Sequence, residues 1–307
     1  MSTPMSTPMS TSTPISGTAT ASAVPRRSSL MRYLRHPGFL IGGILLSAML
    51  VVAVAAPWIA PWSPLDTDLG NTLAAPSAQH LLGTDQYGRD VLSRLIWGTR
   101  ISLQVAVAVM VLSLTLGMAI GAVAGFFGGW VERVTVSVID ILLAFPGFLL
   151  ALALVAARGS SLESVIVAVS LAYTPRVAAV MRAVVLTIKP RPYVEASRAI
   201  GMGNMRLLFL HVVPNSLPPV IVVATIGAAT AILAEAGLSF LGLGVQPPAP
   251  TWGNVIADGQ SFLASNPVIS LSAGLCIALM VVALNLLGDG LRDTLDPQMR
   301  RTSGKML

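Results

Sequence analysis

Charge is scarce in this chain. Of 307 residues only 10% are charged, against 54% hydrophobic, and mean hydropathy is +0.78. A soluble domain carries about 25% charged residues, so the scarcity excludes an ordinary soluble fold and points to an all-α membrane protein. Cysteine is nearly absent. The single Cys276 lies in an apolar run, which excludes an intramolecular disulfide and leaves a small packing residue. His36, His80 and His211 are too scattered for metal-ligand spacing, so no metal site is expected. The formal charge of +6 falls in short clusters beside apolar segments, which fits membrane topology and argues against a nucleic-acid partner.

Six apolar runs are long enough to cross a bilayer, which takes about 20 residues. They fall near 39–60, 101–127, 134–157, 164–188, 207–234 and 268–287. Residues 1–29, a Met-Ser-Thr-Pro near-repeat running into Ala, Ser and Thr, have too little apolar content to offset ordering entropy and read as a disordered tail. Residues 30–100 then carry the first membrane helix and an outer loop, 101–290 a five-helix core, and 291–307 a polar tail. The second run holds Ser113, Gly117, Gly121, Gly125 and Gly129 at four-residue spacing, a smooth stripe for close helix packing.

Basic residues set the orientation. Arg26, Arg27, Arg32 and Arg35 precede the first helix, Lys189, Arg191, Arg198 and Arg206 follow the fourth, and Arg292, Arg300, Arg301 and Lys305 follow the sixth. The positive-inside rule places all three clusters, and both termini, in the cytoplasm. The loop 237–267 has no Lys or Arg and belongs outside. Arg89, Arg94 and Arg100, assigned to the first outer loop, run against the rule.

Between the fourth and fifth runs lies a charged segment bracketed by prolines. Pro190 and Pro192 stop the preceding helix, and Pro192 suits the first position of a new one. Tyr193 to Ile200 then form a short helix that Gly201 ends in a left-handed conformation, and a second helix starts near Asn204. A two-turn helix is marginal alone. Val194, Ala199 and Ile200 either enter a groove on a soluble partner or rest on lipid headgroups.

The segment resembles the EAA motif of ABC-importer permeases. Glu195-Ala196-Ser197 is followed by Arg198, Ala199, Ile200, Gly201, nine residues and His211-Val212-Val213-Pro214. Ser197 stands where the motif has alanine, and His211 with Pro214 and Asn215 is similar to the peptide- and nickel-transport branch. The likeness extends through Leu82 to Arg94, Asp140 to Pro146, Ala234 to Gly244 and Asn285 to Asp293, leaving out residues 1–29. It implies a six-helix type I importer permease of a bacterial cytoplasmic membrane, with a cytoplasmic coupling segment at 190–215. Val194, Glu195, Ala196, Ser197, Arg198, Ala199 and Gly201 would contact an ATP-binding subunit. The implied partners are a second homologous permease, two cytoplasmic ATP-binding subunits, an extracytoplasmic binding protein and membrane lipid. No phosphate-binding Gly-rich loop is present. The resemblance therefore implies a chain that is not an enzyme and binds no cofactor, with ATP and Mg in its partners. The implied cargo is a di- or oligopeptide, with nickel complexes and glutathione as alternatives.

Ionisable residues inside a span cost about 2.5–3.5 kcal/mol and prompt a functional question. Asp140 is expected to make an interhelical pair or cap, or to line the path, and Pro146 with Gly147 to bend the third helix. Glu235 ends the fifth helix, where it holds the outer loop or lines the cargo entrance. Arg176 and Arg182 are expected to snorkel to the cytoplasmic surface. Phe240, Gln246 and Trp252, in a loop rich in glycine and proline, are candidates for docking the binding protein, against the alternative of a lid packed on its own bundle. An ion-driven secondary transporter would show interrupted helices in an internal repeat, and no clear repeat is present. A membrane anchor without transport leaves the coupling segment unexplained. Deleting residues 2–24 keeps the basic residues before the first helix, so uptake at equal expression is expected to survive; its loss would assign the tail a specific partner.

Overall fold

A computed structural model of the chain describes residues 36–295. The segment 1–29, the four arginines before His36, and Arg300, Arg301 and Lys305 lie outside the described residues. Among the described residues no strand forms, and one isolated antiparallel bridge joins Thr84 and Asp90.

Helix α1 spans Pro37–Ile59, with the His36 side chain accepting from the Phe39 amide at its start. Helix α2, Val91–Phe127, begins well before the expected Ile101, because the Asp90 carboxylate caps it by accepting from the Ser93 amide. Arg94 and Arg100 therefore stand on a helix rather than in a loop. Gly128, at φ +68°, ends α2 and starts α3, Gly129–Ala144, which meets α4, Gly147–Arg158, at a 90° bend. The expected third span is this bent pair. Pro146 sits at the elbow in extended conformation, where its missing N–H and ring break the helix as its sequence forecast. Helix α5 covers Leu162–Ile188. A short α6, Pro192–Ala199, and a turn α7, Asn204–Leu207, lead through a π-helical stretch, Leu208–Val212, into α8, Val213–Phe240. Helices α9, Trp252–Gln260, and α10, Val268–Leu295, complete the chain. Among the described residues five helices are long and apolar enough to cross a membrane, and counting the bent pair as one span makes six.

The bundle is organised around the contact of α2 with α5. A Cβ on Gly117 would stand 2.6 Å from the Val177 Cβ, one on Gly121 would collide with the Ala178 carbonyl, and one on Gly125 would lie 3.0 Å from the Arg182 carbonyl. Ser113 is buried on the same face and turns its hydroxyl to the Val109 carbonyl. Gly129 does not belong to the stripe; it lies beyond the Gly128 break with open space around it.

At the end of the bundle opposite α6, the arginines that run against the topology rule are neutralised where they stand. Asp85 Oδ2 accepts from Arg89 Nε at 2.7 Å and Arg94 Nη1 at 2.5 Å, while Oδ1 accepts the Tyr87 and Arg89 amides. Asp258, on α9, takes Arg89 Nη2 at 3.0 Å and Arg94 Nη2 at 2.8 Å. Two cations thus meet two anions, each guanidinium bridging both carboxylates through one charge-assisted N–H to each. Arg100 is exposed, with its guanidinium 5.8 Å from the Trp97 ring. Breaking a buried pair leaves an uncompensated charge and costs about 3–5 kcal/mol. Asp85→Asn is accordingly expected to lower thermal stability of the detergent-solubilised protein by that order, and an unchanged melting temperature would show that Asp258 suffices.

Candidate functional site

The segment 190–215 leaves the end of the bundle as a short helix and turn. Helix α5 runs out at Lys189, Pro190 and Arg191 intervene, and Pro192 occupies the first position of α6. Val194 is wholly buried in a cluster with Met181, Val185, Leu207 and Val212. It holds α6 against its own bundle and is not available to a partner's groove. Glu195, Ala196, Arg198 and Ala199 are exposed, and Ile200 is 81% exposed. Ser197 is half-buried and donates its hydroxyl to the Tyr193 carbonyl at 2.8 Å. The Glu195 side chain makes no hydrogen bond or ion pair among the described residues, so it does not brace α6 within this chain.

The end of α6 is a complete Schellman motif. Met202 N–H donates to the Ser197 carbonyl at 3.1 Å and Gly201 N–H to the Arg198 carbonyl at 3.0 Å, with Gly201 at φ +87°. Nothing lies within 4 Å of where a Gly201 Cβ would be, so glycine is required there by torsion and not by space. The return path is the π-helical stretch, in which Val213 N–H bonds the Leu208 carbonyl. It falls just before Pro214, which has no amide to offer, and the His211 ring there lies 6.4 Å from that of Tyr193.

The residues proposed for the path are not gathered in one place. Asp140 is exposed on α3 and forms no ion pair or side-chain hydrogen bond among the described residues, so the expected interhelical pair is absent within the chain. Pro146 lines a cavity of about 480 Å³ between the α3–α4 elbow, α5 and α8. Helix α8 runs past Glu235 to Phe240, and Glu235 is fully enclosed, accepting from the Ser239 hydroxyl at 2.7 Å. It ends no helix and faces no opening. Arg182 donates to Glu132 of α3 from Nε at 2.9 Å. Arg176 is exposed near the middle of α5 and lines the same cavity as Pro146, a location that counting residues along the helix would have revealed.

The segment 237–267 is more ordered than its glycines and prolines suggest. Trp252 is completely buried, its indole N–H donating to the Leu95 carbonyl at 3.1 Å, so it cannot dock a partner. Thr251 caps α9 by accepting from the Asn254 amide, a signal present in the sequence. Phe240 and Gln246 are exposed. The Gln246 amide also donates to the Gly242 and Gly244 carbonyls, which shapes the turn.

Six apolar crossings, a Schellman-capped helix projecting from one end and a folded cap at the other define the class, a multi-pass permease of the type I ABC importer fold. The family model described as binding-protein-dependent transport system inner membrane component matches residues 117–301, and that of the N-terminal TM domain of oligopeptide transport permease C matches residues 25–76. The chain is 39% identical over 97% of both lengths to the dipeptide transport system permease protein DppC of Alkalihalophilus pseudofirmus. It is 42% identical to the di/tripeptide transport system permease protein DppC of Pseudomonas aeruginosa, covering 86% of this chain and 89% of that one. The glutathione transport system permease protein GsiD of Pectobacterium atrosepticum is 36% identical, over 90% and 92% of the two chains. Two solved inward-facing structures of the MetNI methionine ABC transporter superpose with TM-scores of 0.55 and 0.56 at 19% identity, over 67% of this chain and 97% and 98% of theirs. The chain belongs to the family of binding-protein-dependent transport system inner membrane components.

Val194 is the anchor of the projection. Val194→Ala removes roughly 1.5 kcal/mol of apolar burial, so α6 should open about tenfold more often. Tryptic cleavage after Arg198 in the solubilised protein is expected to quicken by that factor; an unchanged rate would assign the anchoring to the Schellman cap alone.

Proposed function

We propose that this chain is one of two homologous permease subunits through which an ATP-driven importer moves di- or oligopeptides into the cytoplasm. The observation that carries the reading is α6. It presents Glu195, Ala196, Arg198, Ala199 and Ile200 to the outside while a single buried valine ties it to the bundle. A helix so mounted moves with the bundle and offers a docking face to a protein beyond the membrane. That protein is an ATP-binding subunit, one of two. ATP and Mg are held there, and this chain binds no cofactor and hydrolyses nothing itself. The α6 end is then cytoplasmic, as are both termini, and the cap of residues 60–90 and α9 faces outward toward a binding protein. Phe240 and Gln246 remain the candidates for that contact, and Trp252 supports the cap from within.

Peptide is favoured as cargo because the relatives matching over most of the chain are named for dipeptide, di/tripeptide or peptide transport. The glutathione relative keeps a modified tripeptide within the same chemical range. Interrupted crossings are present, at the α3–α4 elbow, but the family match favours ATP drive over an ion gradient.

Moving a two-state transporter from 1:99 to 99:1 takes about 5.5 kcal/mol, and an exposed ion pair supplies only about 0–1 kcal/mol. The whole docked helix must carry the work, which makes its exit geometry decisive. A β-branched residue at φ +87° costs roughly 1–2 kcal/mol or more. Gly201→Val is therefore expected to leave the reconstituted complex assembled while abolishing binding-protein-stimulated ATP hydrolysis. Gly201→Asn, which tolerates that conformation, should retain most of it. Equal activity of the two variants would remove α6 geometry from the mechanism.

A further inference from the structure

Arg176 stands at the middle of α5 with no carboxylate paired to it among the described residues. It lies about 21 Å along α5 from Leu162 and about 18 Å from Ile188, at 1.5 Å per residue. The hydrocarbon layer is about 30 Å thick, so a crossing centred on α5 puts Arg176 near its midplane. It is exposed, and it forms no hydrogen bond or ion pair among the described residues. The carboxylates of α3 and α8 do not pair with it. Glu132 holds Arg182, Glu235 is enclosed with Ser239, and Asp140 of α3 is more than an ion-pair distance away.

The surroundings identify which side of the bundle this is. Arg176 lines the cavity of about 480 Å³ together with Phe145, Pro146 and Phe148 of the elbow and Thr230 and Leu233 of α8. Non-helical backbone at membrane depth is tolerated only against protein or a water-filled cavity, so the elbow and the arginine independently turn the same face away from lipid. Pro175, one residue earlier, removes an amide from α5 and loosens the turn that carries Arg176. The volume falls in the range of small-ligand pockets, about 300–1,000 Å³. The walls are mostly apolar, with one permanently charged fork.

We propose that Arg176 is a cargo-binding residue within the membrane, where its guanidinium receives a carboxylate of the peptide while the apolar walls accept side chains of varied shape. The proposal rests on the peptide reading above. A guanidinium binds carboxylate in a bidentate fork and stays charged. Every peptide with a free C-terminus supplies that group whatever its sequence, so one arginine in an apolar cavity serves a cargo class whose side chains differ.

The test uses the complete transporter, with its binding protein, in proteoliposomes. Uptake of an alanine dipeptide and of its C-terminal amide is measured for wild type, Arg176→Gln and Arg176→Lys. The binding protein's own affinity for each peptide is measured separately. Arg176→Gln is expected to slow carboxylate uptake at least tenfold and to bring the carboxylate-to-amide ratio, corrected for binding-protein affinity, close to one. Arg176→Lys should restore part of the ratio. A folding defect, or loss of a pair with an acidic side chain of the second permease, would lower both peptides alike and leave the ratio unchanged; that result overturns the proposal alone. A wild-type transporter that moves neither peptide overturns the peptide reading, and this proposal with it.

Discussion

Lipid tails are as apolar as leucine, so helices in a bilayer gain little from hiding hydrophobic faces and must associate by close fit. The α2–α5 seam meets that constraint. Gly117, Gly121 and Gly125 allow the two backbones to approach until Val177, Ala178 and Arg182 occupy the space side chains would otherwise fill. The rest of the bundle is built on the seam. Helix α5 carries Tyr173, whose hydroxyl bonds the Val223 carbonyl of α8, and Arg182, which ties down α3 through Glu132. It also delivers the chain to α6 across Pro190. A shift of α5 along α2 would thus move the projection, the elbow and the face of α8 together.

The cap at the end opposite α6 follows different physics. There the fixed points are charges, Asp85, Arg89, Arg94 and Asp258, enclosed by residues 60–90 and α9. Ion pairs of this kind are poor sources of net stability compared with apolar packing, but they penalise misplacement heavily. The cap registers α9 against the start of α2, and the Trp252 indole repeats the registration through the Leu95 carbonyl. One end of the molecule is held by directional bonds and the membrane core by shape.

Much of this was legible in the sequence. The six apolar segments, the short helix closed by Gly201 and the break at Pro146 all followed from local chemistry. The misses have physical causes. The start of α2 was displaced because Arg94 and Arg100 interrupt its hydropathy, and the partner that helps neutralise Arg94, Asp258, is remote in sequence. Glu235 suggested a helix end because its enclosure depends on Ser239 and the segment folded over it. Trp252 looked exposed because glycine and proline around it read as loop, and no local pattern reports what packs on an indole. Gly129 kept the spacing of the stripe but lay past a left-handed residue that turns the chain. The residues of α6 illustrate a subtler limit. Val194 and Ile200 are both apolar in one short helix, yet only the tertiary structure separates the anchor from the exposed residue.

Helix α1 carries a consequence for the life history of the chain. Its tightest approaches are to α10, with Gly42 lying against Ala283 and Leu287, and Phe39 against Gly290. His36, at its start, meets Asp293 at 3.0 Å. Helix α1 therefore finds these partners only in α10, which is synthesised much later. At about 5–20 residues per second, synthesis keeps them apart for on the order of tens of seconds. During that interval α1 lacks these contacts, and closure of the bundle becomes an event in time that synthesis of α10 governs.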